Sequence, residues 1–312
     1  MIGIVVHGGA GTIKPERYEA ALKGVKRAVE IGYSLLESGE SSLSAVEAAV
    51  RYFEDDETFN AGRGSVLTID GEIEMDAAIM DGATLNCGAV ALIKNVAHPI
   101  SLARLVMEKT NHVFLAGDFA EKLAKVFNLE FRNQKTKRTI ERYNKALKKF
   151  KNKELTFVLK NYELLTSYDN LLGTVGAVAV DKMGNVAAAT STGGFILKLP
   201  GRIGDTPQIG AGTYADNLGA AVSATGLGEV AVRLVLAYKI SDLVRAGNHP
   251  QKAVELAMRE VVERQNGLSM GAIAIDRSGN YGIAHTSKNI SWAVMREDMS
   301  TPKAGLEASK IT

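Results

Sequence analysis

Cysteine is nearly absent from this 312-residue sequence, and so are the features that mark membrane and secreted proteins. The single cysteine, Cys87, cannot form an internal disulfide, which favours a reducing compartment. No run of 18 apolar residues is present, so a membrane-spanning helix is not expected. The opening residues 1–6 read as a strand and lack the basic region and cleavage site of a secretory signal. We therefore expect a cytoplasmic protein with no membrane partner.

Motifs for metal ions and nucleotides are also missing. The histidines at positions 7, 98, 112, 249 and 285 show neither i,i+4 nor alternate spacing, which argues against a zinc hydrolase. No GxxxxGK[ST] segment is present to bind nucleotide phosphates. We expect no catalytic cofactor.

Charge is small overall but uneven along the chain. The formal net charge is +2, yet residues 131–160 contain eleven lysines and arginines against two acids, a local charge of +9 that leaves about −7 (2 − 9) elsewhere. Sites that bind single-stranded nucleic acid usually combine basic residues with aromatic side chains that stack on the bases. No such aromatic-interleaved motif accompanies this charge. We expect a flexible basic linker over about 130–172 and no nucleic-acid partner.

Local patterns predict two helices and a hairpin in the first quarter of the chain. Helical apolar spacing begins after Pro15 and ends near Gly39. A second helix is predicted from about Ser44 to Glu54, with a capping-box spacing at its start. Asp70-Gly71 lies between two short β-prone runs, which is a strong hairpin signal.

One internal repeat is informative about the fold. Residues 176–185 and 271–280 both read as an apolar strand that enters an Asp-x-x-Gly-Asn turn, and two helical patterns lie between them. Continuous apolar strands must be covered on both faces. The sequence therefore predicts an α+β fold with two packed, mainly antiparallel sheets flanked by helices.

Threonine and glycine recur in four short segments of the second half of the chain. Residues 173–179, 190–194, 201–205 and 225–229 read GTVGAVA, TSTGG, GRIGD and TGLGE. Together with HGGAG at 7–11, FNAG at 59–62 and SWA at 291–293, they resemble the signature segments of plant-type asparaginases, also called isoaspartyl peptidases. This family belongs to the N-terminal-nucleophile hydrolases, and the resemblance implies an αββα four-layer sandwich.

A threonine hydroxyl is a weak nucleophile unless a base lies beside it. The α-amino group of an N-terminal threonine, with a pKa of about 7.7–8.0, can be that base. Thr174 is internal, so the hypothesis requires cleavage of the Gly173–Thr174 bond. The resemblance implies that a single domain, 1–312, cleaves itself into residues 1–173 and 174–312, and that two such heterodimers associate.

The resemblance also assigns catalytic roles to residues around Thr174. Thr192 lies on the neighbouring strand of a predicted hairpin and would orient the nucleophile. Thr225 and Gly226 precede a helix, where unpaired N–H groups favour an oxyanion. Asn60 is implied to lie near the nucleophile and is counted among the catalytic candidates.

Substrate binding is expected in the glycine-bounded loop of the GRIGD segment. Arg202 can bind a carboxylate through two parallel hydrogen bonds, and Asp205 can accept from an ammonium group. Together they would hold the α-carboxylate and α-amine of an amino acid while its side-chain carbonyl reacts. The resemblance adds the backbone of Gly228 to this site.

A structural sodium ion is a further implication of the resemblance. Its ligands would be backbone carbonyls of the loop before and after Asn60. The corresponding residues here are Phe53, Glu54, Asp56, Phe59, Ala61 and Arg63.

We therefore expect a self-processed threonine amidohydrolase that acts through a Thr174 acyl-enzyme. Its substrates would be L-asparagine, β-aspartyl dipeptides or both. Two alternatives stay open at this point: a glycosylasparaginase-like activity, and an uncleaved homologue that acts as a binding protein. A serine esterase is disfavoured, because the G-x-S-x-G match at 267–271 follows a helix and enters a strand, the reverse of a nucleophile elbow.

Overall fold

The computed structural model describes residues 1–151 and 173–312, with side chains described outside 149–151. In these ranges the helices are α1 (Tyr18–Glu37), α2 (Ser42–Asp55), α3 (Pro99–Lys109), α4 (Gly117–Val126), α5 (Lys137–Lys151), α6 (Gly228–Leu234), α7 (Leu236–Arg245) and α8 (Pro250–Gln265). None of them is both long enough and apolar enough to cross a membrane.

The strands follow the alternation of buried apolar runs with turns. They are β1 (Gly3–Gly11), β2 (Met75–Asp81), β3 (Cys87–Ile93), β4 (Phe114–Ala116), β5 (Val175–Val180), β6 (Val186–Thr192), β7 (Thr213–Tyr214), β8 (Ala220–Gly226), β9 (Met270–Asp276), β10 (Tyr281–His285), β11 (Asn289–Arg296), β12 (Lys303–Gly305) and β13 (Ser309–Lys310).

Two sheets face each other. The larger has the order β12-β11-β1-β5-β6-β2-β3-β4, and the smaller has the order β13-β10-β9-β8-β7. Neighbouring strands are antiparallel except β3–β4 and β10–β13. The expectation of two packed, mainly antiparallel sheets is confirmed.

Helices cover the outer face of each sheet, which completes the four layers. α1, α2 and α3 pack on the larger sheet, and α7 and α8 pack on the smaller one. One buried cluster, with Val5, Val178 and Ile273 among its members, fills the space between the sheets. Strands such as β5 are buried along their whole length, because a sheet between two apolar layers has no solvated face.

The predicted basic linker is wrong over residues 137–151, which form α5. Tyr143, Ala146 and Leu147 lie at i, i+3 and i+4 and join a small cluster with Ile196 and Leu197. This apolar stripe anchors the helix, while Lys137, Lys145 and Lys148 are exposed. The high count of basic residues concealed the stripe in the sequence. The rest of the expected linker, 152–172, lies outside the described residues.

Two local predictions also need correction. α2 begins at Ser42 and is capped by Ser41, whose hydroxyl accepts from the Ser44 N–H at 3.2 Å, in place of the predicted capping box at Ser44. The turn at Asp70-Gly71 forms, since the Thr68 N–H donates to the Glu72 carbonyl at 2.8 Å. The residues before it are not a strand, so the hairpin is reduced to its turn.

Candidate active site

Thr174 lies directly before β5, at one end of a central strand of the larger sheet. Its side chain is buried, and its hydroxyl donates to the Thr192 hydroxyl at 3.2 Å. The contact arises because β5 and β6 pair antiparallel with Val175 opposite Ser191. The expected closeness of these two threonines is therefore present in the structure.

The turn after Thr192 is held by Asn60. The Asn60 amide donates to the Gly194 carbonyl at 2.6 Å, and its own carbonyl oxygen accepts from the Val66 N–H at 3.0 Å. The Gly194 N–H in turn donates to the Thr192 hydroxyl at 2.9 Å. Asn60 thus acts on Thr192 through the turn, and its hydrogen bonds in the described residues do not reach Thr174. These contacts are those of a residue that positions the turn after Thr192, and the catalytic role of Asn60 stays a prediction.

Thr225 is buried beside the Gly173–Thr174 junction. Its hydroxyl accepts from the Ala10 N–H at 3.2 Å, and a Cβ added to Gly173 would lie 2.8 Å from that hydroxyl oxygen. The next residue, Gly226, has a φ of +128° and lines the pocket. An L side chain rarely adopts this φ, so the sequence needs glycine where the chain turns from β8 towards α6.

Arg202 is held by a residue that the sequence analysis did not single out. Its guanidinium donates two hydrogen bonds of 3.0 Å to the carboxylate of Glu229 and lies 4.4 Å from the ring centroid of Phe195. Such a paired, stacked guanidinium is fixed in orientation. Glu229 is the last residue of the TGLGE segment, but it lies 27 positions from Arg202 and the sequence gave no sign of the contact.

Asp205 is buried close to Arg202. Its Oδ2 atom has no hydrogen-bond partner in the described part of the chain. Burial raises the pKa of Asp205 to about 6, and the positive charge of Arg202 opposes that rise. A Cβ added to Gly228 would lie 2.7 Å from Asp205 Oδ1. Gly228 therefore leaves room for the carboxylate, and Asp205 offers an unused buried acceptor to a cationic ligand.

A buried hydrogen-bond network near Thr174 was not predicted from the sequence. His7 Nε2 lies 2.8 Å from the Ser223 hydroxyl, which lies 2.8 Å from the Thr190 hydroxyl. Burial lowers the pKa of His7 to about 3, so the imidazole is neutral at physiological pH. This network links β1, β8 and β6 next to the start of β5.

A cavity of about 340 Å³ lies beside Thr174. Thr174, Thr192, Arg202, Asp205 and Gly226 line it, together with Gly173. Ser269 lies on the wall as well, but the His285 ring contacts Ser287, with Nδ1 3.0 Å from its carbonyl oxygen. The described residues thus give Ser269 no histidine base.

Charged side chains in and beside the proposed sodium loop either form ion pairs or have a shifted pKa. Asp55 pairs with Arg132, and Glu57 pairs with Arg63 at 2.9 Å. Burial raises the pKa of Glu54 to about 8, against hydrogen bonds from Ser191 and the Ile100 backbone. No group of three or more acidic, histidine or cysteine side chains in the described ranges could hold a metal ion. A cation here would depend on backbone carbonyls.

Glycines bring such carbonyls together in this loop. A Cβ on Gly62 would lie 2.0 Å from the Glu54 carbonyl oxygen, and one on Gly64 would lie 1.6 Å from that of Phe59. The Ala61 carbonyl accepts from the Gly64 N–H at 3.0 Å, which closes the turn. Only glycine permits this close approach, and backbone carbonyl oxygens are the kind of ligand that hard cations prefer.

Comparison with known proteins gives a consistent result over nearly the whole chain. A family model described as asparaginase matches residues 1–303. The plant-type L-asparaginase of Pyrococcus horikoshii is 48% identical over 308 residues, which cover 98% of this chain and 100% of that protein. The isoaspartyl peptidase/L-asparaginase of Danio rerio is 44% identical over 294 residues, 94% of this chain and 92% of that protein. The human protein of the same name is 44% identical over 296 residues, covering 94% and 93%.

Proposed function

This chain belongs to the asparaginase family, and on that premise we propose that it is an amidohydrolase that converts L-asparagine to L-aspartate and ammonia and also hydrolyses β-aspartyl dipeptides. The names of its relatives support both substrates. The observation that carries the proposal is the pocket itself, where the Thr174–Thr192 hydroxyl pair lies with Arg202 and with Asp205, whose Oδ2 atom has no hydrogen-bond partner in the described residues.

The first step in this proposal is self-cleavage. The Thr174 hydroxyl attacks the Gly173 carbonyl carbon, the C–N bond to Thr174 breaks, and the nitrogen takes up the proton. Water then hydrolyses the resulting ester, which leaves the Gly173 carboxylate and an N-terminal Thr174. In this proposal the Thr225 hydroxyl, which lies close to Gly173, donates to the oxygen that becomes negative during the attack.

Hydrolysis of substrate repeats this chemistry. The free α-amino group of Thr174 accepts the hydroxyl proton as the oxygen attacks the side-chain carbonyl of the substrate. Thr225 and the Gly226 N–H stabilise the oxyanion, and the proton passes to the leaving nitrogen. Water then releases aspartate from the Thr174 ester. Thr192 holds the nucleophile in place throughout.

The end of the pocket formed by Arg202 and Asp205 accounts for the proposed preference for an aspartyl group. Arg202 is held by Glu229 and faces the pocket beside Gly194, so its guanidinium can donate hydrogen bonds to the α-carboxylate. The buried Oδ2 of Asp205 can accept from the α-ammonium group, which supplies the partner that this carboxylate lacks. Losing either contact leaves a buried charge unmatched, and that penalty makes the zwitterionic end a specific requirement.

The proposal extends to sodium, assembly and location. A sodium ion would be held by backbone carbonyls of the sodium loop, in the cradle opened by Gly62 and Gly64, and would stabilise the loop that positions Asn60. Two processed heterodimers would form the working assembly in the cytoplasm. None of these features enters the chemical steps.

Intact mass is the direct test. Purified protein should yield two fragments that meet at Gly173/Thr174 and should release aspartate from asparagine. The Thr174→Ala variant should remain one chain and be inactive, while Thr84→Ala, at an exposed threonine, should behave like the wild type.

A single intact chain without activity, after prolonged incubation, would contradict the proposal and leave the binding-protein alternative. Cleaved protein that hydrolyses only N4-(β-N-acetylglucosaminyl)-L-asparagine would favour the glycosylasparaginase alternative. The same preparation thus separates the three functions.

A further inference from the structure

The wall of the pocket facing away from Arg202 and Asp205 is formed by the loop between β10 and β11. In the larger sheet β11 lies two strands from β5 on one side, with β1 between them, and β6 and β2 lie on the other side. Gly11 at the end of β1 pairs with Asn289 at the start of β11. Lys288, directly before Asn289, therefore lies at the same end of the sheet as Thr174.

Arg202 and Asp205 belong to the opposite side of Thr174. Their loop is fixed to β2, because the Gly204 N–H donates to Asp76 Oδ2 at 3.4 Å and Asp76 pairs with Thr192. Strands are about 4.8 Å apart, so β11 lies roughly 10 Å from β5. The nucleophile thus lies between the predicted binding end of the pocket and Lys288.

Lys288 differs from the rest of its wall in having an unused charge. Arg202, Asp205 and Lys288 are the charged residues that line the cavity. The hydroxyls of Thr286 and Ser287 already donate to backbone carbonyls at 2.7 Å. Lys288 is exposed at the pocket mouth and makes no ion pair within the described residues. Its ammonium is available to an anionic part of a ligand.

The chemistry of the two proposed substrates shows where that anion would come from. When an aspartyl group is held at Arg202 and Asp205 with its side-chain carbonyl at Thr174, the leaving nitrogen points to the opposite wall. In asparagine this nitrogen leaves as ammonia and carries nothing further. In a β-aspartyl dipeptide it carries a second amino acid, whose carboxylate is two bonds away.

The geometry points to Lys288 as the group that binds the carboxylate of the leaving amino acid, and so as a residue that sets the preference for β-aspartyl dipeptides over asparagine. This inference rests on the proposed function and adds a specificity determinant to the same pocket. An ammonium–carboxylate contact at a partly open site strengthens dipeptide binding modestly, because solvent screens the pair. We expect a contribution of about two- to fivefold in kcat/KM for dipeptides.

The test compares three substrates on the processed enzyme: β-aspartyl-alanine, its C-terminal amide and L-asparagine. Lys288→Gln should lower kcat/KM by about two- to fivefold for the free acid and leave the amide and asparagine unchanged. Lys288→Arg should restore most of the loss. Lys303→Gln, at an exposed lysine outside the pocket, removes the same charge and should change none of the three values.

Equal losses on the free acid and the amide would overturn the inference, because the carboxylate would then not be the group recognised. Unchanged dipeptide kinetics, or hydrolysis of asparagine without any hydrolysis of the dipeptide, would overturn it as well. If the wild type hydrolyses none of the three substrates, the proposed function itself fails. Retained asparagine hydrolysis in Lys288→Gln keeps the two questions separate.

Discussion

Arg202 and Asp205 lie close together but are in different electrostatic states. Arg202 is paired with the Glu229 carboxylate through its Nε and Nη2 atoms, whereas Asp205 is buried with its Oδ2 atom unpaired in the described part of the chain. The negative charge of Glu229 also raises the pKa of Asp205. Glu229 therefore acts on both halves of the binding site, by orienting the cation and by keeping the nearby acid partly protonated near pH 6.

Glu229→Gln should change both properties. Aspartate, the product, binds through its ammonium group when Asp205 is ionised, so inhibition of the wild type should strengthen as pH rises through about 6. In the variant this transition should move to lower pH, since a neighbouring negative charge is lost. Above the transition, aspartate should bind the variant about 1–2 kcal/mol more weakly than the wild type, because Arg202 loses its orienting partner.

The measurement is the inhibition constant of L-aspartate from pH 4.5 to 8. Glu263→Gln, at an exposed position on α8, is the matched control and should reproduce the wild-type curve. A Glu229→Gln curve with the wild-type midpoint and the wild-type affinity would show that Glu229 does not position Arg202.

At the scale of elements, the last turn of α2, which contains the buried Glu54, contacts the cradle at Gly62 and Gly64 in the loop that follows. If sodium occupies this cradle, it binds the folded state alone and stabilises it by mass action. With sodium at ten times its dissociation constant, the gain is about 1.4 kcal/mol. We expect a melting temperature about 2–4 °C higher in sodium chloride than in choline chloride at equal ionic strength.

Gly62→Ala should abolish that difference, because the added methyl group would displace the Glu54 carbonyl. Gly39→Ala is the control, since a Cβ there meets no atom within 4 Å although its φ is also positive. Identical wild-type melting temperatures in both salts would rule out the sodium site.

The same scale shows what a sequence can and cannot reveal. The Thr174–Thr192 contact follows from one hairpin, in which pattern and turn fix the register. The His7–Ser223 contact joins residues 216 positions apart, and only the packing of two sheets brings them together. The prediction of a linker where α5 forms was wrong for another reason. The apolar stripe of α5 contains three residues, and the lysines of the helix outnumber them. Local periodicity is readable, whereas partners across layers depend on the whole fold.

At the scale of the whole molecule, the proposed cleavage would not divide the fold into independent halves. β5 and β6, after the cut, lie between β1 and β2, which precede it. The cluster between the sheets likewise draws Val5 from one part and Val178 and Ile273 from the other. Each piece alone would expose strand edges and apolar surface.

We therefore expect the two fragments to stay together after cleavage. Size-exclusion chromatography with light scattering should give one species of about twice 33.3 kDa, as for two processed chains, and the fragments should separate only in denaturant. Thr174→Ala should give the same mass without fragments. A fragment that elutes alone under native conditions would contradict this account of the sheet.

Gly173 lines the very cavity that would receive substrate. In the intact chain, the protein's own backbone therefore competes for the space in which asparagine would react. Under the proposed cleavage, activity therefore begins only some time after synthesis, when the Gly173–Thr174 bond has been cut. If the cleavage is intramolecular, as proposed, its rate does not depend on protein concentration, and each molecule becomes active independently of the others.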